Sequence, residues 1–304
     1  MRFCCNDTGI DISRNMEGNE RKLKKLHDIG FRVFGVFGVA DAGEDDILRF
    51  RELAAKYDMV IGMSPTGYQP AHPDPEMRKQ HHEDLKKTLR NMQKLGGDLI
   101  HITGGSYSGD GWWHHPKNFT QQGMDELIEE MKKIAPYAED AEVCIAPETT
   151  QWCILHSPER MKEYVDRVDS PYVKVTFDIV NHMRADRIYE SGRFFRCVLA
   201  MLGNRIGQLH VKDVNVTKGL VVHINEVPLG TGLIDHETIV KASKDLEPWM
   251  LFSLEHFNDK DVDRYIQIER GYKHFQRIAD SIGHSWTDPY MTRKTWERGR
   301  SGLR

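Results

Sequence analysis

No apolar run in this sequence approaches the roughly 18 residues a membrane-spanning helix needs, and Met1-Arg2-Phe3-Cys4-Cys5-Asn6 holds no apolar signal core. Neither a membrane partner nor an export route is expected, and the expected location is the cytoplasm. A charge surplus is missing too. The 42 Lys and Arg against 46 Asp and Glu leave a formal net charge of −4, which argues against a nucleic-acid binder. Cysteine is scarce. Cys4, Cys5, Cys144, Cys153 and Cys197 form no CxxC pair, so buried reduced thiols are expected rather than a disulfide framework or a structural zinc knuckle. No Pro/Ser-rich linker or break in composition divides the 304 residues, a length that buries a sizeable core without staples.

What is present is alternation. Short apolar runs lie at Arg2 to Asn6, Phe31 to Phe37, Met59 to Met63, Leu99 to Thr103, Glu142 to Pro147, Val173 to Asp178, Ile206 to Val211 and Met250 to Glu255. Between them the spacing turns helical, as in Leu85, Leu89, Met92 and Leu95, or Leu127, Met131 and Ile134. Ser157-Pro158 and Asp235 read as helix starts, and Gly30, Gly96 and Gly203 as helix stops. Eight strands alternating with helices predict an α/β chain, a (β/α)8 barrel in one domain over 1–283. A doubly wound sheet is the alternative, but Asn6-Asp7-Thr8-Gly9 is a poor version of its glycine-rich turn. Val214 to Val227 reads as a hairpin excursion after the seventh strand, turning near Lys218-Gly219. The polar, basic stretch 284–304 is expected to be a solvated tail.

Barrels of this kind carry their chemistry at the C-terminal ends of the strands. Strand five ends in Pro147-Glu148, strand six in Phe177-Asp178, strand seven runs Leu209-His210-Val211-Lys212-Asp213, and strand eight ends in Leu254-Glu255-His256. Each of four consecutive strands thus delivers a carboxylate or an imidazole to one rim. A charge at the end of an apolar strand is costly unless paired, solvated or metal-bound, and three crowded carboxylates repel. A divalent cation held by Glu148, Asp178, His210 and Glu255 relieves both. Three oxygen donors and one imidazole suit Mn²⁺, the expected ion, with Mg²⁺ or Co²⁺ and also Zn²⁺ compatible.

These residues resemble the xylose isomerase-like barrels, a family of sugar isomerases, ketose 3-epimerases, inosose-converting enzymes, hydroxypyruvate isomerase and the endonuclease IV branch. The resemblance runs from about Arg2 to Ile282. It rests on Pro-Glu148, Phe-Asp178 with Asn181 and His182, Leu-His210-Val-Lys-Asp213, the loop Pro228-Leu229-Gly230-Thr231-Gly232, and Leu-Glu255. It implies one divalent metal on Glu148, Asp178, His210 and Glu255, with Glu148 and Glu255 also exchanging protons with substrate. The implied reaction is isomerisation or epimerisation of a ketose or related polyhydroxylated carbonyl compound through an enediolate, with base and electrophile on the same site. The chain departs from the epimerase pattern at Asn181, with His182 one residue further, and at Val216, where those enzymes place an arginine. A lyase of the same fold, such as an inosose dehydratase or a 3-oxo-glycoside deglycosidase subunit, is therefore the alternative, with a non-catalytic sugar-binding subunit behind it. The endonuclease branch needs extra metal-binding histidines from earlier strands. Strand three ends Ile61-Gly62-Met63-Ser64-Pro65, and His101 sits near the start of strand four.

The partner expected is a small-molecule sugar or sugar derivative, and the chain is expected to form an oligomer. Substrate contacts are expected from His182, Lys212 and Asp213, and from Trp112 or Trp113 in a glycine-rich lid, Gly104 to Pro116, after strand four. The Gly230-Thr231-Gly232 loop is read as a turn at the rim rather than a phosphate cradle, and His256 as a structural residue pointing away from Glu255.

Overall fold

The computed structural model describes residues 1–257 and 259–301. Eight parallel strands close into a barrel: β1 (Arg2–Cys5), β2 (Val33–Gly35), β3 (Val60–Pro65), β4 (Leu99–Thr103), β5 (Cys144–Glu148), β6 (Val175–Asp178), β7 (Ile206–Val211) and β10 (Leu251–Leu254), with β1 hydrogen-bonded to both β2 and β10. Every expected run carries a strand: β4 and β7 span theirs unchanged, and the other six are trimmed or shifted by one or two residues at their ends. The strands are apolar almost throughout because both faces are covered, by helices outside and by the packed barrel interior inside.

Around the barrel run α1 (Met16–Ile29), α2 (Glu44–Lys56), α3 (Pro75–Leu95), α4 (Gln121–Ala141), α5 (Pro158–Val168), α6 (Ser191–Leu202), α7 (His236–Ala242) and α8 (Arg264–Ser281). Leu85, Leu89, Met92 and Leu95 form the buried stripe of α3, as their spacing predicts. Ser157 caps α5, with Pro158 at its first position, and Asp235 caps α7 by accepting the Thr238 N–H. Gly96 ends α3 at φ 79°, a left-handed conformation that costs a glycine little. The excursion after β7 is an antiparallel hairpin of β8 (Asp213–Thr217) and β9 (His223–Val227).

Residues 284–301 are not the solvated tail that their polarity suggests. They cross the N-terminal mouth of the barrel and end in α9 (Arg293–Ser301). Thr287 exchanges hydrogen bonds with Met1, the Arg293 N–H reaches Asp98, and Trp296 packs against the barrel interior of Cys4, Val33, Met63, Leu99 and Leu251. Partners elsewhere in the chain, unseen in local composition, pull this segment down. Four of the five cysteines are buried thiols, as expected; Cys197, on the outer face of α6, is exposed.

Candidate active site

Register decides which side chains meet. Thr103 of β4 lies opposite Glu148, Asp178 opposite His210, and His210 opposite Ser253. Strand residues alternate faces, so His210 and Lys212 share the inner face of one strand end, and Glu255 follows Ser253 on the inner face of the next. One ligand atom from each of Glu148, Asp178, His210 and Glu255 lies within 4.8 Å of all the others, and all four residues are buried. His101, Glu148 and His210 form an overlapping second group of the same tightness.

The contacts within the cluster are short. His210 Nδ1 lies 2.9 Å from a Glu255 oxygen and 3.3 Å from Glu148, and His210 Nε2 lies 2.7 Å from the Asn6 amide nitrogen. His101 Nε2 lies 3.0 Å from the other Glu148 oxygen, and the Asn181 amide donates to Glu148 over 2.9 Å. The Lys212 ammonium sits 2.6 Å from Asp178 Oδ2 and 2.9 Å from Glu255 Oε1. Those two buried oxygens nonetheless receive no aligned hydrogen bond. Two hard oxygen donors without a hydrogen, beside a third carboxylate and an imidazole, fit a divalent cation.

Electrostatics follow from that crowding. Burial alone would raise Glu148, but the charge of His210 and the His101 hydrogen bond hold it well below the usual carboxylate range. Glu255, equally buried, is held low by His210 and Lys212. Asp178 goes the other way, to about 7: burial and the neighbouring Glu255 and Glu148 charges outweigh Lys212. Burial would depress His210, yet Glu255 and Glu148 push it up to about 10.

Two cavities open over this cluster. One, of about 440 Å³, reaches Asn6, Asp7, His101, His210, Glu255 and Arg264; the other, of about 530 Å³, reaches Asn181, Lys212, Glu226 and Trp152. Glu148, Trp112 and His256 line both. The loop after β4 thus brings Trp112 to the cavity wall, its ring 6.3 Å from that of His101 and inclined to it by 20°. Trp113 is 66% exposed and lines neither cavity. Asp110 Oδ1 accepts from the N–H groups of both tryptophans, fixing the turn that separates them.

Two expected substrate contacts lie behind the site instead. His182 is fully buried, stacked on Phe177 with ring centroids 5.3 Å apart, and its Nε2 is 2.9 Å from the Thr149 hydroxyl. Burial, with the charge of Arg187, pushes its pKa down to about 3. Asp213 accepts hydrogen bonds from the N–H groups of Gly230, Gly232 and Ile234, so it anchors the 228–234 loop. A Cβ at Gly232 would lie 2.2 Å from that carboxylate, which is why glycine stands there. The loop is therefore a rim turn, its amides already spent on an internal carboxylate.

His256 reverses its expected placement. A left-handed φ of 58° turns its ring back to the cavities, where Nδ1 lies 2.9 Å from both Glu226 oxygens and Nε2 lies 3.9 Å from Glu255 Oε1. Simple alternation after β10 misses this because the chain leaves the strand at Glu255. His101 lies at the middle of β4 rather than near its start, and its alternation with Thr103 on the inner face places it beside Glu148.

The model of the xylose isomerase-like TIM barrel family matches residues 23–281, and the chain belongs to that family. No curated protein matches its sequence. Among solved structures it is similar to a D-psicose 3-epimerase from Clostridium cellulolyticum H10 determined with D-tagatose, at 15% identity and a TM-score of 0.70 over 92% of this chain and 99% of the other. A xylose isomerase-like protein from Mycobacterium smegmatis in complex with magnesium superposes with a TM-score of 0.70 at 15% identity, covering 92% of this chain and 97% of that one. The probable 3-DHS dehydratase AsbF from Bacillus anthracis gives 0.69 at 16%, covering 91% and 99%. At such identities the likeness is one of fold.

Proposed function

Proceeding from membership of the xylose isomerase-like TIM barrel family, we propose that this protein is a divalent-metal-dependent enzyme that isomerises or epimerises a ketose or related polyhydroxylated carbonyl compound through an enediolate. The observation that carries this reading is the convergence of Glu148, Asp178, His210 and Glu255, with ligand atoms within 4.8 Å of one another, beneath an open cavity. A divalent cation on those four residues, with Mn²⁺ the first choice, would polarise the substrate carbonyl and lower the cost of the developing oxyanion.

The chain's own groups do the rest. Glu148 and Glu255 come from different strand ends and both reach the cavity. His210 holds both ionised, with His101 at Glu148 and Lys212 at Glu255, and the ionised form is the one that accepts a proton. One glutamate removes the proton alpha to the carbonyl, leaving the enediolate. For isomerisation the same glutamate, now protonated, returns that proton to the neighbouring carbon. For epimerisation the other glutamate takes a proton from water in the cavity and delivers it to the opposite face, while the first gives its own up to water. Asn181 and His101 orient Glu148 through its two oxygens, Lys212 and Trp112 meet the substrate, and His182 and Asp213 brace the walls. A second reading, elimination of a β substituent from the same intermediate, is favoured by the second cavity beyond Trp112 and His256.

The test is elemental analysis of protein prepared without chelator, then incubation with ketoses, inososes and 3-oxo-glycosides in D₂O. Near-stoichiometric metal and deuterium alpha to the carbonyl in a rearranged product are expected. An unsaturated sugar would favour elimination. Unchanged, deuterium-free starting material from every class, with metal restored, would sink the enzyme reading.

A further inference from the structure

Beneath the four candidate ligands lies a second polar layer. Thr176 of β6, Gln208 of β7 and Ser253 of β10 each stand two residues before a ligand (Asp178, His210 and Glu255), so they share its inward face one layer down. Asn6, just past β1, reaches the same level. All four are buried. Uncharged polar side chains in a barrel interior cost free energy unless each finds a hydrogen-bond partner, and here they find one another.

The contacts form a single chain. Thr176 Oγ1 donates to the Ala146 carbonyl over 3.2 Å and lies 3.3 Å from one end of the Gln208 amide. The other end of that amide is 2.9 Å from the Ser253 hydroxyl and 3.1 Å from the Asn6 amide, whose far end is 2.7 Å from His210 Nε2. Such a chain has two senses, because a half-turn of a side-chain amide exchanges its oxygen and nitrogen in place. In the first, the Asn6 nitrogen donates to Nε2 and the Gln208 nitrogen donates to the Asn6 oxygen. In the second, both amides are turned. The Asn6 oxygen then accepts from a hydrogen on Nε2, and its nitrogen donates to the Gln208 oxygen, with Cys4 Sγ 3.7 Å from the same position. Ser253 donates to the Gln208 oxygen as well, and the Gln208 nitrogen donates to Thr176.

His210 decides between the two. Its Nδ1 faces the cluster, 2.9 Å from Glu255 and 3.3 Å from Glu148, so Nδ1 is the atom that can offer a lone pair to a cation there. A neutral imidazole carries one N–H. With Nδ1 committed, that hydrogen sits on Nε2 and points at Asn6. An amide nitrogen in that place would set donor against donor, and only the turned sense leaves every member bonded. A ligand histidine is commonly held in this way by an acceptor on its second nitrogen. The acceptor matters here because Glu148 and Glu255 pull the other way: they draw the ring hydrogen to Nδ1, where it blocks the ion.

We infer that Asn6 is a positioning residue of the metal centre: its side-chain oxygen accepts the Nε2 hydrogen of His210, and Gln208, backed by Ser253 and Thr176, holds the amide in that sense. The buried layer thereby selects the His210 tautomer whose Nδ1 is open to the ion. This rests on the metal site proposed above and adds to it a residue beside β1, a strand that supplies no ligand. It does not depend on which product the enediolate yields.

The experiment titrates Mn²⁺, and separately Zn²⁺, into the metal-free full chain by calorimetry, and reads the histidine ring nitrogens of the Zn²⁺-loaded protein by ¹⁵N NMR. No substrate is needed. Asn6→Leu, similar in size but unable to accept, is expected to weaken binding about 10–100-fold, the usual worth of such a partner. Asn6→Asp, which only accepts, is expected to bind within about threefold of the unaltered protein, or more tightly. A residue that merely fills space would not separate these variants. In the unaltered, loaded protein the His210 ring should show a hydrogen on Nε2 and none on Nδ1, a reading that stands even where Asn6→Leu fails to fold. Asn6→Leu binding as tightly as the unaltered protein, Asn6→Asp binding as weakly as Asn6→Leu, or a His210 ring with Nε2 bare overturns the inference and leaves the proposed reaction standing. Failure of the unaltered chain to bind either ion overturns it together with the proposed function. Metal held as expected, with no turnover of any substrate, supports the inference and removes only the proposed reaction.

Discussion

The two mouths of the barrel both bury charge, and they treat it differently. At the N-terminal mouth Arg2 pairs with Asp98, donates from Nε to the Trp249 carbonyl over 2.9 Å, and reaches the Pro289 carbonyl. Arg293 pairs with Glu297 and lies 3.6 Å over the Tyr172 ring. Arg2 and Asp98 are buried there as a matched pair, and residues 284–301, which include Arg293, close over them. At the C-terminal mouth the buried carboxylates of Glu148, Asp178 and Glu255 face one ammonium, Lys212, and the imidazoles of His210 and His101, with His256 3.9 Å from Glu255, and two cavities open above. Charge matched one for one and sealed holds the fold together. Charge left in surplus under an open cavity is available for a ligand.

The sharpest way to test this contrast is to neutralise one charge at each mouth. Glu148→Gln or Glu255→Gln should lower kcat by about 10²–10⁴, the usual worth of a positioned acid or base, with folding retained. Metal content must be measured on the same samples, since each glutamate also holds the ion. Asp98→Ala should do the opposite. Leaving Arg2 buried without its carboxylate should cost about 3–5 kcal/mol in urea unfolding while kcat of the folded fraction stays within about twofold; a large kcat loss with unchanged stability would erase the distinction between the mouths.

A smaller effect belongs to His182, neutral and sealed beside the open site. Its folded pKa of about 3 lies below the value near 6.5 of the unfolded chain. The unfolded state therefore takes up the proton first. Stability is unaffected by this group above about pH 6.5 and is lost as pH falls from there toward 3, by up to about 1.4 kcal/mol per pH unit. Unfolding curves of His182→Gln against the unaltered protein should show a shallower acid slope from pH 6.5 to 4; identical slopes would mean that His182 is solvated. Smallest of all, Trp112→Ala should weaken substrate binding by about tenfold or less, and Trp113→Ala by under about twofold, because only the first indole lines the cavities. Equal losses would show that the lid rearranges on binding.

The eight strands, the stripe on α3, the caps at Ser157 and Asp235 and the turn at Lys218-Gly219 were all legible in the chain, since each follows from residues within a few positions of one another. So was the candidate ligand set, because in a barrel the end of each strand already names a place on one rim. Tertiary structure decided what depends on distant partners. Asp213 looked like a substrate contact until the amides of Gly230, Gly232 and Ile234 turned toward it. His182 lost its place in the cavity to a stack on Phe177. A positive φ brought His256 into that cavity, and a buried Asp98 drew down the polar segment beyond residue 283. Local pattern fixes which face a residue takes along its own strand or helix; which group waits opposite is set only when the barrel closes and brings residues hundreds of positions apart into contact.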